Sequence, residues 1–299
     1  MTEPVRVLAR AKVNLCLHVT GRRSDGYHLL DSLVVFPRMG DVIEAEAASR
    51  TSLTITGPFG IDLSAGADNL VLRGAALMPG NAALRLHKNL PASSGIGGGS
   101  ADAAATLRAL SQLHGNALPS AEQLLGLGAD VPVCLSQTSI RMRGIGDVLE
   151  PLPPLPEFWC VLVNPGSACP TPDVFAALER FDHTPLPAVP GRFTAAEDLF
   201  TWLRSTRNDL QLPATRLCPQ VAVVSAAIAE TEGCALNRMS GSGATCFGLY
   251  ATGAAALKAA DMLRASYPAW WIAAAPVSDD PRDNEVREVD QDVTHVRGG

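Results

Sequence analysis

The first third of the chain alternates apolar and polar positions, which predicts β-structure. Residues 5–19 are rich in β-branched and aliphatic side chains, and Lys12 and Asn14 alternate with Val13 and Leu15. Successive side chains of a strand point to opposite faces, so Lys12 and Asn14 are predicted to share one face. A turn at 21–28 and apolar stretches at 29–36, 41–47 and 52–56 predict further strands of an antiparallel meander.

A helical spacing of apolar residues begins near residue 100. Residues 100–113 place alanines and leucines on one face, and both the spacing and the alanine content favour a helix. Shorter helices are predicted at 70–78, 120–125 (with a capping-box start), 171–180, 221–232 and 254–267, and strands at 83–90, 159–163 and 270–275.

Helices and strands alternate irregularly in both halves of the chain, which favours two α+β domains over one doubly wound sheet. A proline-rich bridge at 150–158 is the predicted boundary, so we expect domains at 1–150 and 158–276. Residues 279–299 hold seven acids and three arginines without apolar periodicity. They are predicted to form a disordered acidic tail outside the chemistry.

Composition narrows the class of protein. The 299 residues are 47% hydrophobic and 18% charged with a net charge of −6, which is typical of a globular protein and argues against a nucleic-acid-binding surface. Seven scattered cysteines include no CxxC pair, so we expect reduced, mostly buried thiols. No stretch approaches the roughly 20 apolar residues of a membrane span. We therefore expect a cytoplasmic protein without a membrane partner, either a monomer or a weak homodimer.

A glycine-rich segment, Pro-Ala-Ser-Ser-Gly-Ile-Gly-Gly-Gly-Ser-Ala-Asp at 91–102, leads directly into the predicted long helix. Consecutive backbone N–H groups at the positive end of a helix bind phosphate, so a phosphate loop is favoured over a flexible linker. The candidate contacts are Pro91, Ala92, Ser93, Ser94, Gly95, Ile96, Gly97, Gly98, Gly99, Ser100 and Ala101.

Three common nucleotide-binding motifs do not fit this loop. A Walker A loop needs Gly-Lys-[Ser/Thr], and Gly99-Ser100 lacks the lysine. A dinucleotide fingerprint starting at Gly95 would need glycine at position 100, which is Ser100. The chain also lacks the HRD and DFG tripeptides of protein kinases.

The loop instead resembles the second motif of the GHMP kinases, with Ile96 where leucine is usual and Gly99 where many members have serine. Ala-Lys-Val-Asn-Leu at 11–15 resembles their first motif, and 238–247 resembles their third. Asp-Gly-Tyr-His at 25–28, Gly-Ala-Asp-Val-Pro at 128–132 and Asn-Asp-Leu at 208–210 are similar to the branch that phosphorylates a cytidine diphosphate-linked sugar alcohol.

This resemblance implies a fold and an activity. The implied fold has an N-terminal α/β domain that carries the phosphate loop and a C-terminal ferredoxin-like α+β domain. The implied activity is transfer of a phosphoryl group from ATP to a hydroxyl, with Mg²⁺ as the metal. Two alternatives remain: another GHMP kinase, of the homoserine or mevalonate type, and a non-catalytic nucleotide-binding module.

Two charged residues are the catalytic candidates. Asp130 lies among apolar neighbours, so its carboxylate is predicted to be shielded from water, as a general base or as a turn cap. Lys12 on an inner strand would be a buried charge that needs a partner, either Asp130 or a phosphate. The resemblance implies that Asp130 is the base and that Lys12 orients it.

The remaining candidates come mainly from the resemblance. It implies that Asn14 binds substrate hydroxyls, that Tyr27 and His28 recognise the cytidine, and that Lys88 lies near the nucleotide. From the residues alone, Tyr27 and His28 could be a packed aromatic and an exposed imidazole, and Lys88 a solvated strand end. Weaker substrate-side candidates are Thr171, Ser240, Gly241 and Gly243. No metal-ligand cluster is evident, and Ser100 is a candidate contact of Mg²⁺.

Overall fold

A computed structural model describes residues 3–279 of the chain, so the predicted acidic tail beyond Asp279 lies outside the described residues. The strands are β1 Val5–Arg10, β2 Val13–Arg22, β3 His28–Val35, β4 Gly40–Ala47, β5 Ser52–Thr56, β6 Ala82–His87, β7 Ile140–Gly144, β8 Val148–Pro151, β9 Phe158–Asn164, β10 Leu236–Met239, β11 Cys246–Tyr250 and β12 Trp271–Val277. The helices are α1 Leu70–Ala75, α2 Gly98–His114, α3 Ala121–Leu127, α4 Val131–Ser136, α5 Thr171–Ala176, α6 Ala196–Arg204, α7 Gln211–Leu217, α8 Gln220–Ala229 and α9 Gly253–Ser266.

The prediction of one strand over 5–19 is wrong, because the chain changes sheets at Ala11 and Lys12. β1 pairs with β4, whereas β2 pairs with β3 in another sheet. Between them the N–H of Ala11 donates to Met39 O and the N–H of Lys12 donates to Ile96 O, both at 2.9 Å. Lys12 therefore lies in the crossing between two sheets, next to the glycine loop.

The predicted antiparallel meander is also wrong. The first sheet has the order β1-β4-β6-β5, with β5 parallel to β6, and the second has the order β2-β3-β7-β8. α2 packs against β1 and β4 with its alanines, of which Ala103, Ala104 and Ala105 are fully buried. Small side chains let the helix approach the sheet closely, and this fixes its N-terminus relative to Lys12.

The third sheet has the order β10-β11-β9-β12, and its neighbouring strands are all antiparallel. Its βαββαβ chain order with this strand order is the ferredoxin-like arrangement, so the predicted C-terminal fold is confirmed. α8 and α9 pack on one face with a core that includes Val224, Leu263 and Ile272. The opposite face packs against a second core that includes Leu15, Leu33 and Phe158.

Several elements lie where the sequence predicted neither a helix nor a strand: α4, α6, α7, β7, β8, β10 and β11. α4, α7, β7, β8, β10 and β11 have four to seven residues, too few for a clear period.

Six of the seven cysteines are buried and Cys234 is partly exposed, which confirms the expected thiol burial. Within residues 3–279 no helix is long and apolar enough to cross a bilayer.

Candidate active site

A single open cavity of about 1200 Å³ brings most of the predicted site residues together. Those that line it are Lys12, Asn14, Tyr27, His28, Lys88, Pro91, Ala92, Ser93, Ser94, Gly95, Gly97, Gly98, Gly99, Ser100, Asp130, Thr171 and Gly241. Four others lie buried behind its wall: Ile96, Ala101, Ser240 and Gly243. Residues more than 200 positions apart in the chain therefore meet at one site.

The glycine loop enters α2 through backbone that favours glycine. Gly95 and Gly97 have φ values of +76° and +65°, and α2 begins at Gly98, two residues earlier than predicted. The N–H groups of the first turn have no partner within the helix and lie at its positive end, where the cavity is lined by Gly98, Gly99 and Ser100. The loop can therefore bind phosphate oxygens through its backbone.

The loop at 240–243 packs directly on the first glycine loop. A Cβ atom at Gly95 would lie 2.6 Å from Gly243 O and 2.7 Å from Ser240 O. Ser240 Oγ donates to Gly95 O and accepts the Asn14 N–H, both at 3.1 Å. The carbonyl groups of Ser240 and Gly243 pack against Gly95, and the Ser240 hydroxyl bonds to Gly95 and Asn14. These two residues therefore support the wall of the cavity and do not line it.

Lys12 and Asp130 form the central charged pair of the cavity. Lys12 Nζ donates to Asp130 Oδ2 at 2.8 Å. Asp130 is therefore the partner that the buried charge of Lys12 requires. The predicted shielding of Asp130 is wrong, because its side chain is 37% exposed at the cavity, whereas that of Lys12 is 7% exposed. Asp130 precedes α4 without making a side-chain capping bond, so the cap alternative does not account for it.

Asn14 faces the cavity with one acceptor unused. Its Nδ2 donates to Ser32 Oγ at 2.7 Å, and that hydroxyl donates to Cys16 O at 2.6 Å. This fixes the amide orientation and leaves Asn14 Oδ1 buried without a hydrogen-bond partner in the described part of the chain. A buried carbonyl oxygen without a donor is costly unless a ligand supplies one.

A group of aromatic side chains also lines the cavity. The His28 ring stacks on Phe175 at 5.0 Å between centroids and meets the Phe181 ring edge-on at 6.2 Å. Tyr27 is 61% exposed, so the packed-aromatic alternative for it is wrong. Burial lowers the pKa of His28, and the Arg22 charge lowers it further, so the neutral imidazole is favoured.

Lys88 is 2% exposed, so the alternative of a solvated strand end is wrong. Its Nζ pairs with Asp102 Oδ2 at 2.7 Å and with Asp41 Oδ2. Burial would lower the pKa of Lys88, but the charges of Asp102 and Asp41 outweigh it and raise that pKa well above its ordinary value. Burial raises the pKa of Asp102, and the charge of Asp41 adds to this effect. Lys88 is therefore a permanently charged group paired within the protein.

Some cavity residues have no sequence prediction. Ser242 lies within the second glycine loop, and its hydroxyl is 2.7 Å from Thr171 Oγ1. Phe175 and Phe181 belong to no motif, and only tertiary packing brings them to His28. Asp102 is the last residue of the glycine-rich segment at 91–102. That position is the sequence signal that could have identified it as a site residue. No group of three or more His, Cys, Asp or Glu side chains within residues 3–279 could hold a metal ion.

Comparisons with known proteins extend over nearly the whole chain. The family model described as GHMP kinases N terminal domain matches residues 66–149, and the one described as GHMP kinases C terminal matches residues 175–269. A 4-diphosphocytidyl-2-C-methyl-D-erythritol kinase from Cereibacter sphaeroides is 55% identical over 274 residues, which cover 91% of this chain and 98% of the relative.

Solved structures agree with this similarity. A crystal structure of 4-(cytidine 5'-diphospho)-2C-methyl-D-erythritol kinase is 35% identical, with a TM-score of 0.75, and the match covers 91% of this chain and 99% of that one. A homoserine kinase from Cytophaga hutchinsonii has a TM-score of 0.65 at 18% identity, over 93% and 96% of the two chains. The second likeness concerns the fold alone.

Proposed function

Since this chain belongs to the 4-diphosphocytidyl-2-C-methyl-D-erythritol kinases, a branch of the GHMP kinases, we propose that it phosphorylates the 2-hydroxyl of that cytidylylated alcohol at the Lys12–Asp130 pair. The enzyme uses ATP and acts in the non-mevalonate route to isoprenoids. The observation that carries the assignment of catalytic residues is the Lys12–Asp130 pair, because it joins a cation and a solvent-accessible carboxylate in the cavity that the glycine loop lines.

In the proposed reaction, the hydroxyl oxygen of the alcohol attacks the γ-phosphorus of ATP. The bond between that phosphorus and the β,γ-bridging oxygen breaks, and ADP leaves. Asp130 accepts the proton of the hydroxyl, for which its exposed carboxylate is accessible from the cavity. Lys12 fixes the carboxylate through its 2.8 Å hydrogen bond and stabilises negative charge on the transferred group.

The glycine loop and Asn14 supply the positioning. Backbone N–H groups at the start of α2 bind the ATP phosphates, since they have no partner within the helix. Asn14 Oδ1 lacks a donor within the described chain and accepts a hydrogen bond from a substrate hydroxyl. The acceptor is thereby oriented towards Asp130, because Asn14 and Lys12 line the same cavity.

The aromatic side chains of the cavity lining suit the cytidine. Tyr27, His28 and Phe175 offer flat faces for a base, and the neutral His28 ring can donate or accept a hydrogen bond at the base edge. The His28–Phe175 stack lies in the cavity wall, so the base contacts these rings without entering the protein core.

Mg²⁺ fits the oxygen donors at the start of α2. A Cβ atom at Gly128 would lie 3.9 Å from Ser100 Oγ, so the Ser100 hydroxyl is close to the turn that carries Asp130. Mg²⁺ accepts one or two protein oxygens together with water and phosphate oxygens, so the lack of a three-residue ligand cluster within residues 3–279 is compatible with it. Ser100 would hold it together with water and phosphate oxygens, and it would neutralise charge on the β- and γ-phosphates.

The test is an ADP-release assay with Mg-ATP and three acceptors: the cytidylylated alcohol, homoserine and mevalonate. We expect turnover with the first acceptor only. Faster turnover with homoserine or mevalonate would overturn the proposed substrate.

Asp130→Asn tests the proposed base. We expect kcat to fall about 100-fold or more, because the amide cannot take the hydroxyl proton. The control is Glu232→Gln in an exposed ion pair with Lys258, which should leave kcat unchanged. An Asp130→Asn enzyme with wild-type kcat contradicts the assignment.

A further inference from the structure

The two ends of the glycine loop converge on one buried group of charges. The loop begins at Pro91, shortly after β6, and ends at Gly97, before α2. Lys88 immediately follows β6, whereas Asp102 lies in the second turn of α2. Their side chains meet through the Lys88 Nζ to Asp102 Oδ2 bond of 2.7 Å, so a direct ion pair bridges the loop.

Asp41 on β4 fixes the entry to the loop. Its Oδ1 accepts the backbone N–H groups of Asn89 at 2.6 Å and of Leu90 at 2.8 Å. Its Oδ2 accepts from Lys88 Nζ. Asn89 also donates from its side chain to Gly40 O at 3.1 Å, beside Asp41. The backbone that leads into Pro91 is therefore held by a fully buried carboxylate.

The Lys88 ammonium lies against the exit of the loop. A Cβ atom at Gly98, the first residue of α2, would be 3.1 Å from Lys88 Nζ. Two carboxylates already pair this ammonium, and both are almost completely buried. The charge of the ammonium is therefore compensated within the protein. Its bonds to Asp41 and Asp102 fix the start of α2 relative to β4.

We propose that Lys88, Asp41 and Asp102 are positioning residues that clamp both ends of the glycine loop and thereby set the affinity for ATP. This rests on the proposed function, in which the loop binds the ATP phosphates. The clamp acts on the nucleotide side alone, because its bonds end on residues 88–90 and on α2, whereas Asn14 and His28 belong to β2 and β3. Lys88 therefore contributes through the loop and not as a direct phosphate ligand.

Asp102→Asn is the sharpest variant. The amide keeps the size of the side chain and an oxygen that can accept from Lys88, but it replaces the carboxyl group that pairs with the ammonium. We expect the KM for ATP to rise about tenfold while the KM for the cytidylylated alcohol stays within about twofold, since a displaced loop loses nucleotide binding selectively. Isothermal titration calorimetry with ADP should show the same weakening without any turnover.

Asp31→Asn is the matched control. Asp31 is a buried carboxylate on β3 that accepts two bonds from Arg141 and one from Leu186 N, so its removal also breaks a buried charge network. We expect it to lower the free energy of unfolding and leave the KM for ATP unchanged. If Asp102→Asn fails to fold, Asp41→Asn replaces it, because its amide oxygen can still accept from Asn89 and Leu90.

Three outcomes would overturn the clamp: an unchanged KM for ATP in the folded variant, an equal rise in both KM values, or an equal ATP effect in Asp31→Asn. Failure of the proposed function is a separate result. A wild-type enzyme that does not phosphorylate the cytidylylated alcohol overturns that function, while the ADP titration still measures the clamp directly.

Discussion

At the scale of single residues, Gly97 couples backbone conformation to the catalytic lysine. Its φ of +65° is in the left-handed region, and an added Cβ would lie 3.2 Å from Lys12 Cβ. Gly115 at the other end of α2 has a similar φ of +70°, but an added Cβ would meet nothing within 4 Å. A side chain would be strained at both positions, but only at Gly97 would it also contact Lys12.

We expect Gly97→Ala and Gly115→Ala each to lose about 1 kcal/mol of unfolding free energy, because alanine is strained in the left-handed region. Only Gly97→Ala should also lower kcat, by about tenfold or more, since the new methyl group displaces Lys12. Denaturant unfolding and steady-state kinetics measure the two effects. An equal kcat loss in both variants would show that the contact with Lys12 is unimportant.

At the scale of elements, His18 joins β2 to the segment that contains the Asn-Asp-Leu motif. Its Nδ1 is 2.8 Å from Thr184 O, and its Nε2 accepts the Arg207 N–H at 3.2 Å. This pair of contacts requires the neutral ring with its proton on Nδ1. Burial lowers the pKa of His18, which outweighs the hydrogen bond to Thr184 that would raise it.

A depressed folded-state pKa stabilises the fold above the unfolded value of about 6.5 and loses that contribution as the pH falls below it. We therefore expect the wild-type free energy of unfolding to decrease between pH 7 and pH 5. In His18→Asn the part of this decrease that comes from His18 should disappear, although the variant has a lower free energy of unfolding at pH 7. Urea unfolding across this range is the measurement, and an equally steep acid loss in the variant contradicts the role of His18.

The motif at 208–210 also acts between elements. Asn208 Nδ2 donates to Met239 O at 2.8 Å and to Gly241 O at 2.9 Å, so it supports the second glycine loop. Asp209 accepts the Val19 N–H at 2.8 Å, which ties the same segment to β2. The motif therefore holds β2 and the second glycine loop together, and neither Asn208 nor Asp209 lines the cavity.

At the scale of the whole molecule, the last described residue returns to the first half of the chain. Asp279 accepts from the backbone and hydroxyl of Ser139 at 2.7 and 2.9 Å, and from Leu155 N at 3.1 Å. Arg10 lies nearby and donates to Ser278 O at 3.4 Å and to Gln137 O at 3.3 Å. The end of β12 is thus joined to β1 and to the connection before β7.

We expect Asp279→Ala to lower the free energy of unfolding by about 1–3 kcal/mol, because it leaves partly buried donors without an acceptor. The comparison is Asp261→Ala, which removes an exposed ion pair with Arg264 and should cost less than about 0.5 kcal/mol. Guanidinium unfolding of both variants provides the measurement. Equal losses would mean that Asp279 contributes no more than an exposed surface charge.

The local features of this protein could be predicted from short segments of its sequence. The capping box of α3 is present as predicted, with Gln123 N donating to Ser120 Oγ at 3.3 Å. The glycine loop and α2 follow from neighbouring residues, because backbone N–H groups at a helix N-terminus need no distant partner. Each GHMP motif is also a short contiguous pattern. The motifs could therefore be recognised in the sequence, and they indicated the two-domain fold and the family.

Which residues meet across the chain could not be predicted in this way, because it depends on the packing of the folded protein. The crossing between sheets at Lys12, the parallel pairing of β5 with β6 and the Lys88 clamp all depend on contacts between segments distant in sequence. The exposure of Asp130 and the approach of Phe175 to His28 depend on them as well. A local pattern of apolar and polar residues determines which face of an element is buried, but the partner that covers that face is set by the packing of the whole chain.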